Sequence, residues 1–422
     1  MRPAGQPPPG ALSSAAVTAE ALPPSRQPPH PPGEAGGSRP SAAPVPGAPL
    51  RGLLPAELAA WVKGAGAPGY RGEQLFRWLH GQAVESLDQM VNVPPPLREA
   101  LGAAHPLRPL VMDVLQTARD GTRKLRWRTH DGRSIESVLI PDEDAERNRL
   151  TLCVSSQVGC ALDCRFCATA TLGFGRHLGA DEIVEQIYRA TALAGRRPTN
   201  LVFMGMGEPL HNFDNLTRAL ALLEHPWGAG FSPRRITVST AGLVSGIDKL
   251  AELSPAPNLA ISLNATTDEV RDRIMPINKR WPIAALLDAA QRWPLSHGRR
   301  VTFEYVLLAG VNDTDADADR LPTLLAGIPC KVNLIPWNGF EGPEFARPSA
   351  ERIRSFQERL RAAGVAVYIR SPRGDDIDAA CGQLAARTEP GTDLATIRTT
   401  RPIPAISPIP WISPIPWAPT TS

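Results

Sequence analysis

The sequence predicts an α/β protein: a partial (β/α)6-type barrel preceded by an N-terminal helical accessory domain and an intervening β-hairpin region, with disordered termini. Three observations predict it. From residue 150 to about 370, short and nearly continuous apolar runs alternate with stretches of helical period, the pattern of parallel strands covered by helices. Residues 51–108 instead carry apolar side chains at three- and four-residue spacing, with no such runs. Residues able to do chemistry recur at the carboxyl ends of the runs, where function collects in folds of repeated βα units.

Each segment can be justified in chain order. Residues 1–50 are rich in Pro, Ala, Gly and Ser and lack the aromatic and β-branched runs that bury a core, so disorder is expected. No compact apolar stretch follows basic residues there, so no secretory signal is expected. In residues 51–108, Leu54, Leu58 and Trp61 mark one helix and Leu75, Trp78 and Leu79 a second. Asn92 to Leu101 adds a third. Arg71, Arg77 and His80 are candidates for touching a polyanion, although such residues more often form a solvated face. Residues 109–145 alternate in polarity, and "RDGT" and "HDGR" supply the Asp-Gly turns of hairpins. Glu136 lies in the last of these strands.

Residues 146–388 hold the barrel and a carboxyl-terminal loop. The strands are "LTLCVSS", "NLVFMGM", "RITVSTA", "NLAISLN", "VTFEYVL", "KVNLIPW" and "VAVYIRS", each separated from the next by a helical stretch such as "DEIVEQIYRATALAG" or "SAERIRSFQERLRAAG". Such repeats give a parallel sheet with right-handed crossovers. Residues 389–422 end in a tandem SPIPW repeat. Proline at that density forbids helix and sheet interior, so this tail is also expected to be disordered.

The motifs fall at the strand ends. The first strand runs into "QVGCALDCRFCAT", where Cys160, Cys164 and Cys167 form a CxxxCxxC set. Structural zinc takes four ligands, and an ordinary iron–sulfur cluster takes four cysteines. Three cysteines on one loop would leave one iron of a 4Fe-4S cluster without a protein ligand, an open position of the kind catalysis uses. The second strand ends in "MGMGEPL". Gly205 and Gly207 let backbone approach a ligand, and Glu208 is an acceptor suited to an ammonium. Ser239, then Ser262, Leu263 and Asn264 in "SLNA", then Asn338 stand at the third, fourth and sixth strand ends. These are neutral hydrogen-bonding groups at strand ends, though any one of them could instead cap a helix. Cys330 matches no such position and reads as a buried, inert thiol.

CxxxCxxC with Phe166 before its last cysteine resembles the radical S-adenosylmethionine (SAM) superfamily, over residues 146 to 385 or so. "CVSSQVGCALDCRFCAT", "MGMGEPLHN" and "RGDDIDAACGQLA" together resemble the RlmN-type RNA methyltransferases, as do the helical and hairpin regions before the barrel. That resemblance implies a radical SAM barrel with one 4Fe-4S cluster on Cys160, Cys164 and Cys167. It implies SAM bound through Gly207, Glu208, Ser239, Ser262, Leu263, Asn264 and Asn338, serving as methyl donor and radical source.

The implied reaction methylates carbon 2 of an adenine in 23S ribosomal RNA and, in many members, in transfer RNA. Carbon 2 and the SAM methyl are both electrophilic, so direct transfer has no nucleophile. A relay with two SAM per turnover removes the difficulty. Cys381 would carry the methyl group, Cys153 would resolve the adduct and leave a disulfide, and Glu136 would take the adenine proton. Asn264 stands where many members have histidine, and its amide keeps a donor and an acceptor for SAM.

Composition constrains the partners. The formal net charge is +3, so an RNA surface must be a local patch. Arg234, Arg235, Lys279, Arg280, Arg299 and Arg300 are the candidate phosphate contacts. No stretch of about 18 apolar residues occurs, so no membrane span is expected. Clustered cysteines point to a reducing compartment, hence the cytoplasm. An electron donor such as flavodoxin, a thiol reductant and a monomeric enzyme complete the expectation. Two rivals stand beside it: the sister activity at adenine carbon 8, and a non-enzymatic zinc-bound RNA-binding protein.

Overall fold

The computed structural model describes residues 44–142 and 148–385. Of the segments expected to be disordered, residues 1–43 and 389–422 lie outside the described residues, whereas residues 44–50 are described and Leu50, in a short 3-10 turn, is fully buried.

Three helices come first: α1 (Pro55–Gly64), α2 (Tyr70–Phe76) and α3 (Pro95–Ala104). Proline opens α1 and α3, where its missing N–H costs no hydrogen bond. Leu58, Val62, Leu75, Phe76, Leu79, Leu97 and Leu101 are buried together. Gly72 lets α2 close on α1, since a Cβ there would stand 2.7 Å from the Ala59 Cα. Strands β1 (Val111–Thr117), β2 (Arg123–Arg128) and β3 (Ser134–Pro141) form an antiparallel meander. Its two Asp-Gly turns place Gly121 and Gly132 at φ +79°, a conformation glycine adopts without steric cost.

The parallel part follows. Strand β4 (Leu150–Cys153) leads through a two-stranded hairpin, β5 (Gln157–Gly159) with β6 (Phe174–His177), to α4 (Ala180–Ala194). Then come β7 (Asn200–Phe203), α5 (Phe213–Glu224), β8 (Ile236–Thr240), α6 (Val244–Ala251), β9 (Asn258–Ser262), α7 (Asp268–Ile274) and α8 (Ile283–Arg292). The chain closes with β10 (Val301–Leu307), α9 (Asp315–Leu324), β11 (Cys330–Pro336), α10 (Ala350–Ala362) and β12 (Val367–Ile369). One sheet joins β1-β2-β3-β4-β7-β8-β9-β10-β11-β12, antiparallel up to β4 and parallel beyond it. This is the α/β class the sequence predicts.

Alternation sorts each strand. In β10, Phe303 and Tyr305 are fully buried, and the Tyr305 ring stacks 5.6 Å from Phe356 of α10. Glu304 and Val306 face the other way and line a cavity. Two elements are absent from the sequence reading. The β5–β6 hairpin has strands of three and four residues, too short to show a period. Helix α7 is seven residues long and depends on the Thr267 side chain accepting from the Val270 N–H. Among the described residues no helix is long and apolar enough to cross a membrane.

Candidate active site

One cavity opens at the carboxyl ends of the parallel strands. Its wall includes Cys160, Cys164 and Cys167, Gly205, Gly207 and Glu208, Ser239, Ser262, Asn264, Glu304, Asn338, Arg370 and Cys381. These residues come from β7 through β12 and from two loops. The parallel register brings them together, because every such strand ends at the same face.

The three-cysteine loop is held on all sides. Cys160 N–H donates to Gly173 O at 2.8 Å, closing the loop against the β5–β6 hairpin. Arg165 N–H reaches Ile274 O at 3.0 Å, and the Trp337 indole N–H reaches Phe166 O at 3.0 Å. Burial raises the pKa of all three thiols, that of Cys160 to about 12. Neighbouring thiols raise Cys164 further, and it lies within the field of the buried Arg271. Burial thus favours the neutral thiols, whereas a metal ligand must be a thiolate. Three thiols on one loop are one short of the four ligands of structural zinc.

Beside them, backbone has been cleared. Gly207 sits at φ +98°, and a Cβ on it would stand 2.5 Å from the Gln157 Cβ. A Cβ on Gly205 would meet Ser155 Oγ at 2.7 Å. The Glu208 carboxylate is buried and accepts from Ala241 N–H at 2.7 Å and Leu210 N–H at 3.0 Å. Burial outweighs these bonds and raises its pKa to about 7. Arg271, which the sequence reading missed, ties the strand ends together beneath it. Its guanidinium donates to Ala241 O, Ser262 O, Leu263 O and Asn278 Oδ1 at 2.7–3.0 Å.

Cys381 lies on a loop with one short turn, Asp375–Ile377, and is solvent-accessible. The loop is tied to the three-cysteine loop by Ala168 N–H to Gly382 O at 2.7 Å and Thr169 Oγ1 to Leu384 O at 2.6 Å. The Asn338 amide donates to Cys381 O at 3.3 Å. Cys153 is buried at the end of β4. Its pKa is raised by burial and then by the charge of Cys381, while Met204 N–H and Arg370 oppose the rise. The two thiols therefore share one electrostatic neighbourhood with Arg370. Both are free, so the disulfide that the resemblance implies is not formed here.

Two protein-family models match the chain. Residues 154–321 match the radical SAM superfamily, and residues 49–105 match the ribosomal RNA large subunit methyltransferase N-terminal domain. A "Dual-specificity RNA methyltransferase RlmN" from Anaeromyxobacter sp. (strain Fw109-5) is 51% identical over 356 residues, 82% of this chain and 93% of that protein. The protein of that name from Geobacter sulfurreducens is 49% identical, over 81% of this chain and 92% of its own. The chain belongs to the RlmN family of radical SAM RNA methyltransferases. Its fold is that of a radical SAM methyltransferase from Sphaerobacter thermophilus, with a TM-score of 0.76 at 45% identity, covering 81% of this chain and all of that one. The protein is thus an RNA methyltransferase whose cofactors are a 4Fe-4S cluster and SAM. The zinc-bound, non-enzymatic alternative falls.

The structure of this RlmN-family chain amends several site expectations. Leu263 has its side chain in the core, outside the cavity wall, and offers backbone only. Asn264 lines the cavity, but its amide is engaged: Oδ1 accepts from Val306 N–H at 2.8 Å and Nδ2 faces the Met275 sulfur at 3.2 Å. Its φ of +57° is one that asparagine tolerates better than most residues. Glu136 is buried but is not part of the cavity wall. Its Oε2 accepts from Ala385 N–H at 3.1 Å, and Lys124 Nζ lies 3.8 Å from its Oε1.

The cationic candidates divide. Arg234, Arg235, Arg299 and Arg300 precede β8 and β10 and so lie at the strand ends opposite the cavity; Arg299 binds Asn258 there. Lys279 and Arg280 follow α7 and are exposed near the cavity wall. His80 is buried against the Tyr188 hydroxyl at 2.8 Å and cannot touch a polyanion. Arg77 pairs with Glu73, and Arg71 holds Asn92 O. Cys330 is half-buried at the start of β11, far along the strand from the site. Glu304 and Arg370 were also missed. A charged residue inside the apolar run "VTFEYVL" was the available signal for Glu304.

Proposed function

We propose that this chain methylates carbon 2 of a specific adenine in 23S ribosomal RNA and in transfer RNA, with Cys381 as methyl carrier, Cys153 as resolving thiol, Glu136 as base and two SAM consumed per turnover. The observation that carries the reading is the pairing of an accessible Cys381 with a buried Cys153 around Arg370, against the three-cysteine loop. A carrier must meet SAM and then a base, whereas a resolving thiol must only wait behind it. Gly207, Glu208, Ser239, Ser262 and Asn338 would hold SAM, and Cys160, Cys164 and Cys167 the cluster.

Cys381 first takes the methyl of one SAM as a thioether, since a thiolate is the nucleophile that adenine lacks. The cluster held by Cys160, Cys164 and Cys167, together with a second SAM, would supply the radical chemistry that takes a hydrogen atom from the Cys381 S-methyl group. The resulting methylene on Cys381 adds to carbon 2. Glu136 accepts the carbon-2 proton and the adduct radical would return one electron to the cluster; the Cys153 thiolate then attacks the Cys381 sulfur, the S–CH2 bond breaks, and the released carbon takes a proton to become the methyl group, leaving a Cys153–Cys381 disulfide. Glu136 lies on β3, which pairs with the strand bearing Cys153, and its bond to Ala385 keeps it at the Cys381 loop.

The same reading carries an electron donor such as flavodoxin, a thiol reductant for the disulfide, a monomer and a cytoplasmic location. It also assigns residues 51–108 as accessory domain, 109–145 as hairpin region and 146–388 as barrel with catalytic loop. Mass spectrometry of nucleosides from methylated RNA tests it. 2-Methyladenosine is expected, and 8-methyladenosine alone would overturn it in favour of the sister activity.

A further inference from the structure

Glu304 is the oddest residue in the cavity. It sits in the middle of β10, 6% exposed, at the level of Ser262 and Asn333 in the strand register. Its Oε1 accepts from Asn333 Nδ2 at 2.9 Å, while its buried Oε2 has no partner. A buried carboxylate oxygen without a hydrogen bond is costly, so a donor is missing. Arg370 presents the converse. It lines the same cavity and feels Glu304, Cys381 and Cys153, yet its guanidinium is hydrogen-bonded to no described residue.

A buried acceptor without a partner and a solvent-exposed guanidinium with no protein partner among the described residues therefore stand together beside the two thiols. They complement a ligand edge that offers one donor and one acceptor side by side. A phosphate group offers acceptors only, a ribose hydroxyl has no planar donor–acceptor edge, and the SAM ammonium has its own carboxylate in Glu208. The N1–C6–N6 edge of adenine has the required pattern, and enzymes that extrude a base read it by that edge. N1 is also bonded to carbon 2, the atom that must meet the Cys381 sulfur. A guanidinium beside Cys381 is thus placed to reach N1 when carbon 2 is in position.

We propose that Glu304 and Arg370 are the specificity-determining pair of the site, Glu304 accepting from the adenine 6-amino group and Arg370 donating to N1. The inference rests on the carbon-2 reading above. It assigns base selection to residues inside the barrel, apart from the groups that hold SAM.

The test uses reconstituted holoenzyme and a synthetic RNA hairpin that the wild-type enzyme methylates. The target position carries adenosine, purine riboside (no 6-amino group) or 1-deazaadenosine (no N1). Wild type should favour adenosine over each analogue in kcat/KM by about tenfold or more. In Glu304→Ala the preference over purine riboside should fall to within about threefold, and Glu304→Gln, which keeps an acceptor oxygen, should restore part of it. In Arg370→Met the preference over 1-deazaadenosine should be lost, with Arg370→Lys restoring part.

Equilibrium dialysis of SAM and fluorescence anisotropy of each labelled RNA give binding readouts that do not need turnover. SAM affinity should stay within about threefold of wild type in the Glu304 variants, on the assignment of SAM to other groups. Unchanged discrimination in Glu304→Ala, or a SAM affinity lost with discrimination intact, overturns the inference and gives Glu304 to the cofactor. Failure of the carbon-2 reading shows separately, as the wrong methyladenosine isomer from the wild-type enzyme.

Discussion

At the scale of single residues, the site works by giving like groups unlike surroundings. Cys381 and Cys153 are the same thiol, but one is open to the cavity and the other is buried at a strand end. Under the proposed relay they fail differently. Cys153→Ala should let methylene transfer proceed and then stall, trapping a covalent RNA–protein adduct on a denaturing gel. Cys381→Ala should give no adduct at all. Free methylated RNA from Cys153→Ala at the normal rate would remove Cys153 from its role. Asp181 shows the same contrast away from the chemistry. It stands in the first turn of α4, where a helix N-terminus favours an anion. Burial and then the neighbouring Glu182 outweigh this and raise its pKa to about 6. The native state therefore holds this proton more tightly than the unfolded chain, and stability falls as pH rises from about 4 to about 6. Asp181→Asn should remove that penalty, raising stability on the order of 3 kcal/mol at pH 8 and leaving it nearly unchanged at pH 4. Thermal unfolding at the two pH values checks it.

At the scale of elements, the Cys381 loop is positioned by the hairpin region. Arg373 Nε lies 2.8 Å from Asp120 Oδ2, and Gly374 N–H donates to the same oxygen at 3.2 Å. Arg119 N–H reaches Asp376 at 3.1 Å, Lys124 reaches Asp378 O at 3.4 Å, and Ala385 N–H reaches Glu136 at 3.1 Å. The β1–β2 turn and β3 thus hold both ends of the segment that carries Cys381. Asp120→Ala should loosen it without unfolding the barrel. Hydrogen exchange over residues 370–385 should quicken, and adduct formation should slow by tenfold or so, the loss of about 1.4 kcal/mol of positioning. Unchanged exchange would show that the other contacts suffice. These contacts explain what the sequence could and could not reveal. The βα alternation and both Asp-Gly turns were legible, because they depend on neighbours in the chain. So was the loop of Cys160, Cys164 and Cys167. The partnership of Asp120 with Arg373 spans 253 residues, and no local pattern encodes it. Glu136 was legible as a motif residue but not as a buried anchor for Ala385.

At the scale of the whole molecule, the accessory helices dock on the barrel through charge as well as apolar contact. Arg51 pairs with Glu185 of α4, with both side chains about 2% exposed or less, and Arg189 of the same helix also binds Glu185 at 3.1 Å. Arg218 of α5 holds Glu57 of α1 at 2.7 Å. The sequence shows Glu57, Glu185, Arg189 and Arg218 on helices with ordinary amphipathic spacing and Arg51 just before the first of them, so their burial could not be read from it. It is a property of the docked surface. The same limit explains why four of the six basic residues chosen as phosphate contacts lie at the wrong end of the strands. Charge is visible in a sequence, but its facing depends on strand direction. The buried pair makes a sharp expectation. Removing one partner leaves a charge desolvated and uncompensated, whereas replacing both with apolar residues removes the desolvation cost as well. Arg51→Met alone should therefore cost about 3–5 kcal/mol, and Arg51→Met with Glu185→Leu clearly less. Urea unfolding of the single and double variants measures the difference. A double variant as unstable as the single would mean that Arg189, left without Glu185, or the packing of Arg51 against the Tyr188 ring at 5.4 Å, and not the ion pair, holds the helices to the barrel.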